Sequence, residues 1–208
     1  MKKLYFFLGV MFLFNLQQTY AQHPDKCGTM QHLQMQIQND PTVQVRMQQI
    51  EQQTQQFVAN WNPNNSRSII TIPVVFHVVY STSSQNIADA FLQAQINQLN
   101  LDYARLNTDA SNTPSAYQGV AVNTNIQFCL ANRDPNGNTT TGITRTQTST
   151  SSWSTNDNVK HASSGGADAW PAASYLNIWV CNLGGGVLGY TQFPGGAAST
   201  DGVVVLYS

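Results

Sequence analysis

The sequence predicts an α+β fold: a mixed, twisted sheet with one backing helix, preceded by two N-terminal segments of different character. Three observations carry this. Short β-branched and aromatic runs recur after residue 67, a single long helical pattern lies among them, and the 45 residues before them (22–66) are rich in Gln and Met and poor in large apolar side chains.

The N-terminus comes first. Lys2 and Lys3 precede a nearly unbroken apolar run, Leu4–Leu16, and Thr19-Tyr20-Ala21 offers a small residue before a cut at Gln22. This pattern reads as a secretory signal peptide over 1–21; a membrane anchor is the alternative, though the run is short for a span. With the signal removed no other stretch suits a membrane, so the expected location is extracellular. Charged residues are only 9% of the chain and the formal net charge is −1, which excludes an electrostatic footprint for nucleic acid. Asn, Gln, Ser and Thr replace the missing charges, as suits an exported protein.

Residues 22–66 read as a separate leader. Asp40 caps Pro41, and Val45, Met47, Ile50 and Phe57 recur at loosely helical spacing to Ala59. The turn-rich stretch 60–66 marks a boundary. From Arg67 the pattern changes. Residues 68–80 form a β-branched strand, and Asp89 starts a helix to Leu106 whose Leu92, Ile96, Leu99, Tyr103 and Leu106 share one face. Residues 125–130 and 175–181 alternate as half-buried strands, with Ile126, Phe128 and Leu130 on one face of the first and Leu176, Ile178 and Val180 on one face of the second. Between them, 146–168 is Ser/Thr/Gly-rich and reads as a long loop. Gly184-Gly-Gly186 turns the chain into 188–193, and Gly202 leads into a last strand, 203–207. That strand is apolar on both faces, so it should be covered on both sides. Only the helix 89–106 is an obvious cover, and the domain is expected to be incomplete at its C-terminus.

Candidate ligands are few. His77 lies inside an apolar strand and reads as a hydrogen-bonded core histidine. His23, His32 and His161 show no i, i+4 pairing, so spacing builds no zinc site. Asp134, Asn136 and Asn138 have the start of a calcium-loop pattern, but the glycine is out of position and no distal Glu follows, so a turn is the better reading. Asn64 and Asn138 head glycosylation sequons. Neither a Gly-rich phosphate loop nor a Ser/His/Asp signature is present. Cysteines number three: Cys27, Cys129 and Cys181. Export allows disulfides, and the odd count leaves one over. Cys129 and Cys181 fall in two strands, which would permit a bridge if the strands are neighbours; two small buried thiols are the alternative.

The run from Ile72 to Ser208 resembles the pappalysin family of metzincin zinc metalloproteases, especially its secreted bacterial members. The resemblance is carried by Ile72-Pro-Val-Val-Phe-His-Val-Val79, Ile96-Asn-Gln-Leu-Asn-Leu-Asp102, Phe128-Cys-Leu-Ala131, Asp134-Pro-Asn-Gly137, Thr141-Gly-Ile-Thr-Arg145, Gly165-Gly-Ala-Asp-Ala-Trp-Pro171, Leu176-Asn-Ile-Trp-Val180, Leu188-Gly-Tyr-Thr-Gln-Phe-Pro194 and Asp201-Gly-Val-Val-Val-Leu206, in family order. It implies a metzincin-like N-terminal subdomain over 67–208 and a parent protein that is a zinc endopeptidase acting on protein or peptide substrates. The family signature H-E-x-x-H-x-x-G-x-x-H is absent, so the three histidine ligands and the general-base Glu are not on this chain. The chain alone should therefore be inactive.

The resemblance also assigns roles. Leu188, Gly189, Tyr190 and Thr191 match the strand at the upper rim of the cleft, where substrate is held as an added antiparallel strand; an ordinary sheet edge is the alternative. Cys27 would act as a leader thiolate on the Zn²⁺, keeping the zymogen latent; a disulfide to Cys129 or Cys181, or a free thiol, is the alternative. Activation cleavage is expected between Ser66 and Arg67. Zn²⁺ is the cofactor the resemblance implies for the complete protein, and Ca²⁺ stands as a second candidate ion. A secreted β-rich binding or adhesion module without catalysis, or a decayed remnant, stands as a different reading.

Overall fold

A computed structural model describes residues 26–62 and 68–208. The expected signal peptide, His23 and the Ser66–Arg67 cut lie outside the described residues. Two helices lie in the segment read as a leader, α1 (Thr29–Asn39) and α2 (Thr42–Ala59). The body follows as β1 (Ile70–Tyr80), α3 (Asp89–Tyr103), β2 (Ile126–Leu130), β3 (Ile143–Gln147), β4 (Leu176–Cys181), β5 (Gly189–Thr191) and β6 (Val203–Leu206). The sheet is mixed, as expected, and open, in the order β2-β1-β4-β6-β5. All pairs are parallel except β5 with β6.

β1 is the central strand because its apolar run is long enough to serve three partners. Ile70–Val74 pairs with β2 and Phe76–Tyr80 with β3, so these two short strands lie end to end on one side of it. The other side holds β4 through Val74–Val78. The alternation of β1 divides the core. Val74, Phe76 and Val78 face α3 with Phe128, Ile178 and Val180, while Val79 faces the opposite layer with Trp179, Cys181 and Val204.

α3 buries Leu92 and Ile96, and Tyr103 meets Phe128 edge-on with ring centroids 4.8 Å apart. The helix stops three residues before Leu106. Arg105 takes a left-handed φ of 57°, its amide donates to Asp102, and the Leu106 amide donates back to Leu101. This Schellman closure throws Leu106 out to 72% exposure, so Leu106 is not part of the packed face.

The second layer corrects the expectation of an uncovered strand. Val204 is fully buried, and what covers it is the long loop, which supplies Trp153, Val159 and Ala167. On the other face Val205 joins the core beneath α3. A count of helices missed this layer because a Ser/Thr/Gly-rich loop with scattered large residues has no period to recognise. The same loop begins later than expected, since β3 runs to Gln147.

His77 is the core histidine expected. It is 1% exposed; its Nε2 donates to Asn177 Oδ1 at 2.9 Å, its Nδ1 lies 2.9 Å from Thr144 Oγ1, and its ring stacks on Trp179. Burial pushes its pKa below the ordinary histidine value, against the opposing hydrogen bond to Asn177. Asp134 also behaves as expected of a turn: its carboxylate accepts from the Asn136 and Asn138 amides, and Gly137 takes the left-handed φ the turn needs.

The Cys129–Cys181 bridge is not formed. β1 lies between β2 and β4, so the two strands are not neighbours. Cys129 is exposed on β2, Cys181 is buried on β4, and both are free thiols.

Candidate functional site

β5 is the last strand of the sheet. Gly189, Tyr190 and Thr191 pair with Val205, Val204 and Val203 on one side. The opposite side is an edge that would otherwise present unpaired amides and carbonyls. The leader occupies it. The Leu188 amide donates to the Lys26 carbonyl at 2.7 Å, and the Gly28 amide donates to the Gly189 carbonyl at 2.9 Å, forming a parallel bridge between Cys27 and Gly189. One turn on, the Thr191 amide donates to Thr29 Oγ1 at 3.2 Å.

Glycine at position 28 allows this approach. A Cβ there would lie 2.6 Å from Thr155 Cγ2 and 3.2 Å from Val187 Cγ1. Of the four rim residues named from the sequence, Gly189, Tyr190 and Thr191 form β5, and Leu188 immediately precedes it. Tyr190 points its ring into the buried layer at 2% exposure, whereas Leu188 is 50% exposed.

The leader is seated by polar contacts, as its composition requires. Gln36 Nε2 donates to Gln192 Oε1 at 2.7 Å, and Arg46 Nε donates to the Gly195 carbonyl at 2.6 Å. Asp40 caps α2 through the Thr42 amide and pairs with Arg46; these contacts hold its carboxyl down to about 2. The apolar positions read as a helical face do not form a seam: Val45, Ile50 and Phe57 are exposed, and on α2 only Val43 is buried.

His32 was missed by sequence reasoning, as was α1 itself, which has no side-chain cap and no acidic first turn. The imidazole is 1% exposed. Its Nε2 donates to Asp157 Oδ2 at 2.7 Å, and its ring lies 5.0 Å from that of Tyr190. The other oxygen of Asp157 is 2.8 Å from Lys160 Nζ. Lys160 is wholly buried, donates to the Thr200 carbonyl at 2.7 Å and stands over the rings of Trp179 and Tyr190. Burial raises the Asp157 pKa, but the His32 hydrogen bond and the Lys160 charge outweigh it and hold the carboxyl below its usual value. Nothing in the sequence signals this cluster, because His32 and Asp157 are far apart in the chain and none of the three residues belongs to a spaced motif.

Cys27 lies between the two residues whose main chains bond to the edge. It is exposed, and its Sγ donates to Thr29 Oγ1 at 3.3 Å. Among the described residues no group of three His, Cys, Asp or Glu side chains is placed to hold a metal ion. Both ring nitrogens of His77 are engaged in the core. The side chains described here therefore offer Cys27 as one candidate ligand and do not compose a zinc site.

The fold and its edge define a class: a domain with an open mixed sheet whose edge strand is covered by the N-terminal segment of the same chain. Comparisons with known proteins find solved structures similar to it. A Tannerella forsythia promirolysin mutant is 48% identical over 88% of this chain and 59% of its own, with a TM-score of 0.73. Tannerella forsythia mature mirolysin in complex with a cleaved peptide is 57% identical over 68% of this chain and 54% of its own, with a TM-score of 0.66. A mirolysin in complex with a compound is 56% identical with the same coverage and a TM-score of 0.63. The chain thus spans little more than half the length of these relatives. No protein-family model and no curated protein matches it. Identity near one half, on a shared fold, supports a metzincin relationship and a likeness to a protease precursor.

Proposed function

We propose that this chain is the N-terminal part of a secreted zinc endopeptidase precursor of the metzincin class, pappalysin type, with a signal peptide at 1–21, a latency leader at 22–66 and the start of the catalytic domain at 67–208. The observation that carries the reading is the pairing of Lys26 and Gly28 with Leu188 and Gly189. A peptide substrate adding to the same edge would use the same main-chain donors and acceptors, so leader and substrate compete. The relatives support the division of the chain. The promirolysin structure covers about a fifth more of it than the mature mirolysin structures do, a difference close to the length of the proposed leader. The cleaved peptide bound to mature mirolysin supports protein or peptide partners.

In this reading Leu188–Thr191 binds substrate main chain, Cys27 is the latency thiol, and cleavage between Ser66 and Arg67 frees the edge. Zn²⁺ is the cofactor of the whole protein, and the ligands and general base that would use it are not residues of this chain.

The test is to express the complete gene product and follow hydrolysis of an unstructured protein before and after leader removal. Activity that appears on removal, is lost to a chelator and returns with Zn²⁺ supports the proposal. Activity that is absent in both forms, or insensitive to chelation, overturns it.

A further inference from the structure

Edge pairing alone is a weak clamp. It consists of two main-chain hydrogen bonds and one side-chain bond at 3.2 Å, each contributing on the order of 1 kcal/mol. Apolar packing adds little to it: Val43 is the one large apolar side chain of α1 and α2 that is buried, and Leu33, Met35, Ile37 and Met47 are only half-buried. The contact of a different kind is His32, the only leader group placed against buried charge among the described residues.

We propose that Asp157, Lys160 and Tyr190 form an imidazole socket, a binding site for the His32 side chain that fastens the leader independently of the strand edge. The proposal rests on the reading of the leader as the cover of β5, and adds the site that keeps it there.

The contacts among Asp157, Lys160 and Tyr190 are made by the body of the chain, without the leader. Asp157 holds a left-handed φ of 64°, a conformation a non-glycine residue adopts at a cost of about 1 kcal/mol. It opens a turn at Asn158–Lys160 that brings Lys160 back beneath the carboxylate. Lys160 spends its charge on Asp157 Oδ1, the Thr200 carbonyl and two aromatic faces. Asp157 Oδ2 is left directed at the leader, where it accepts the His32 Nε2–H at 2.7 Å. The ring of Tyr190 supplies the wall. Asp157 is 15% exposed with His32 in place, so a leader that lifts away uncovers a carboxylate already committed to a buried cation.

The geometry selects a flat donor. An imidazole meets Tyr190 with its face tilted by 44° and delivers one N–H in its own plane to the carboxylate. A phenyl ring would match the wall and lack the donor. The socket also couples to the edge, because Tyr190 belongs to the strand whose neighbouring residue, Gly189, accepts from Gly28. The ligand class is therefore a histidine side chain on an extended-then-helical peptide, and the leader is the occupant.

Hydrogen exchange on the intact chain, read by mass spectrometry, tests this with H32A and H32F. Both variants should accelerate exchange in 26–39 and at Leu188 by about tenfold or more, the factor for one charge-assisted hydrogen bond. Peptides from β1 and β4 should keep wild-type protection. Unchanged leader exchange in both variants overturns the socket while leaving the edge reading intact. Protection lost in H32A but kept in H32F reduces His32 to packing and also overturns it. Loss spread equally to β1 and β4 would make the contact merely structural. Free exchange of the Leu188 amide in the wild type would overturn both the socket and the edge reading.

Discussion

The Gly28 amide donates to the Gly189 carbonyl at 2.9 Å, and residue 28, which has no side chain, fits closely against Thr155 and Val187 in making this bond. Thr155 and Val187 crowd the space a Cβ would need, so Gly28→Ala must push the leader off the edge or displace both. Overpacking of this kind costs roughly 1–2 kcal/mol, here charged to docking and not to the fold of the body. Trypsin should then cleave after Lys26 and Arg46 about tenfold faster than in the wild type, with the thermal midpoint of the body little changed. An unaltered cleavage rate would mean that the leader does not make this close approach.

The body was legible in the sequence to the extent that its elements are periodic. Strands β1, β2, β4 and β6 were found within a few residues of their bounds because β-branched runs and alternation mark them directly. His77 was readable for the same reason, since an imidazole in an unbroken apolar strand has to satisfy itself locally. The end of α3 was misplaced because Leu106 keeps the spacing of the helix while Arg105, three positions from Asp102, has already reversed the chain. Of the site, Leu188–Thr191 entered through resemblance and not through any property of the four residues. The His32–Asp157–Lys160 cluster was invisible: a buried lysine is identified by its surroundings, and those are assembled from the leader, a loop and β5.

The thiols give a chemical test of the sheet order. Cys181 is fully buried, and burial pushes its pKa up to about 12, so its reactive thiolate is scarce at neutral pH. Cys129 is exposed on β2. Iodoacetamide should modify Cys129 in the native chain while Cys181 reacts only after denaturation. Peptide mapping without reductant should return no Cys129–Cys181 link. Finding that link would require β2 and β4 to be adjacent, against the register of β1 with both.

His77 makes stability depend on pH in a defined direction. Burial holds its folded pKa below the ordinary 6.5, so as pH falls through that value the unfolded chain binds a proton that the folded chain refuses. Stability therefore declines below about pH 6.5, by at most about 1.4 kcal/mol per pH unit, until the folded pKa is reached. His77→Leu removes this contribution. It also removes a hydrogen-bond partner from Asn177 and Thr144, which lowers stability at pH 8 by about 1–3 kcal/mol. Urea denaturation of both proteins between pH 8 and pH 5 should show their stabilities converging as pH falls. Parallel curves would show that His77 does not resist protonation in the fold.

Gly202 is where β6 meets the buried ring of Trp179. Its φ of 140° is one that side chains rarely adopt, and a Cβ would sit 2.3 Å from the Asn177 carbonyl oxygen and 2.8 Å from Trp179 Cζ3. Neither neighbour can yield: Asn177 is clamped to the Trp170 main chain by bonds in both directions, and Trp179 is fully buried with its Nε1 donating to the Ala167 carbonyl. Gly202→Ala should therefore destabilise the chain by about 3 kcal/mol, from strain and overpacking together. Gly119 supplies the control, since nothing lies within 4 Å of a Cβ there, and Gly119→Ala should change stability by no more than about 0.5 kcal/mol. Urea midpoints measured side by side separate the two. Equal midpoints would mean that the chain enters β6 by another path, which would also move Val204, the residue that Tyr190 pairs with to hold the edge strand in place.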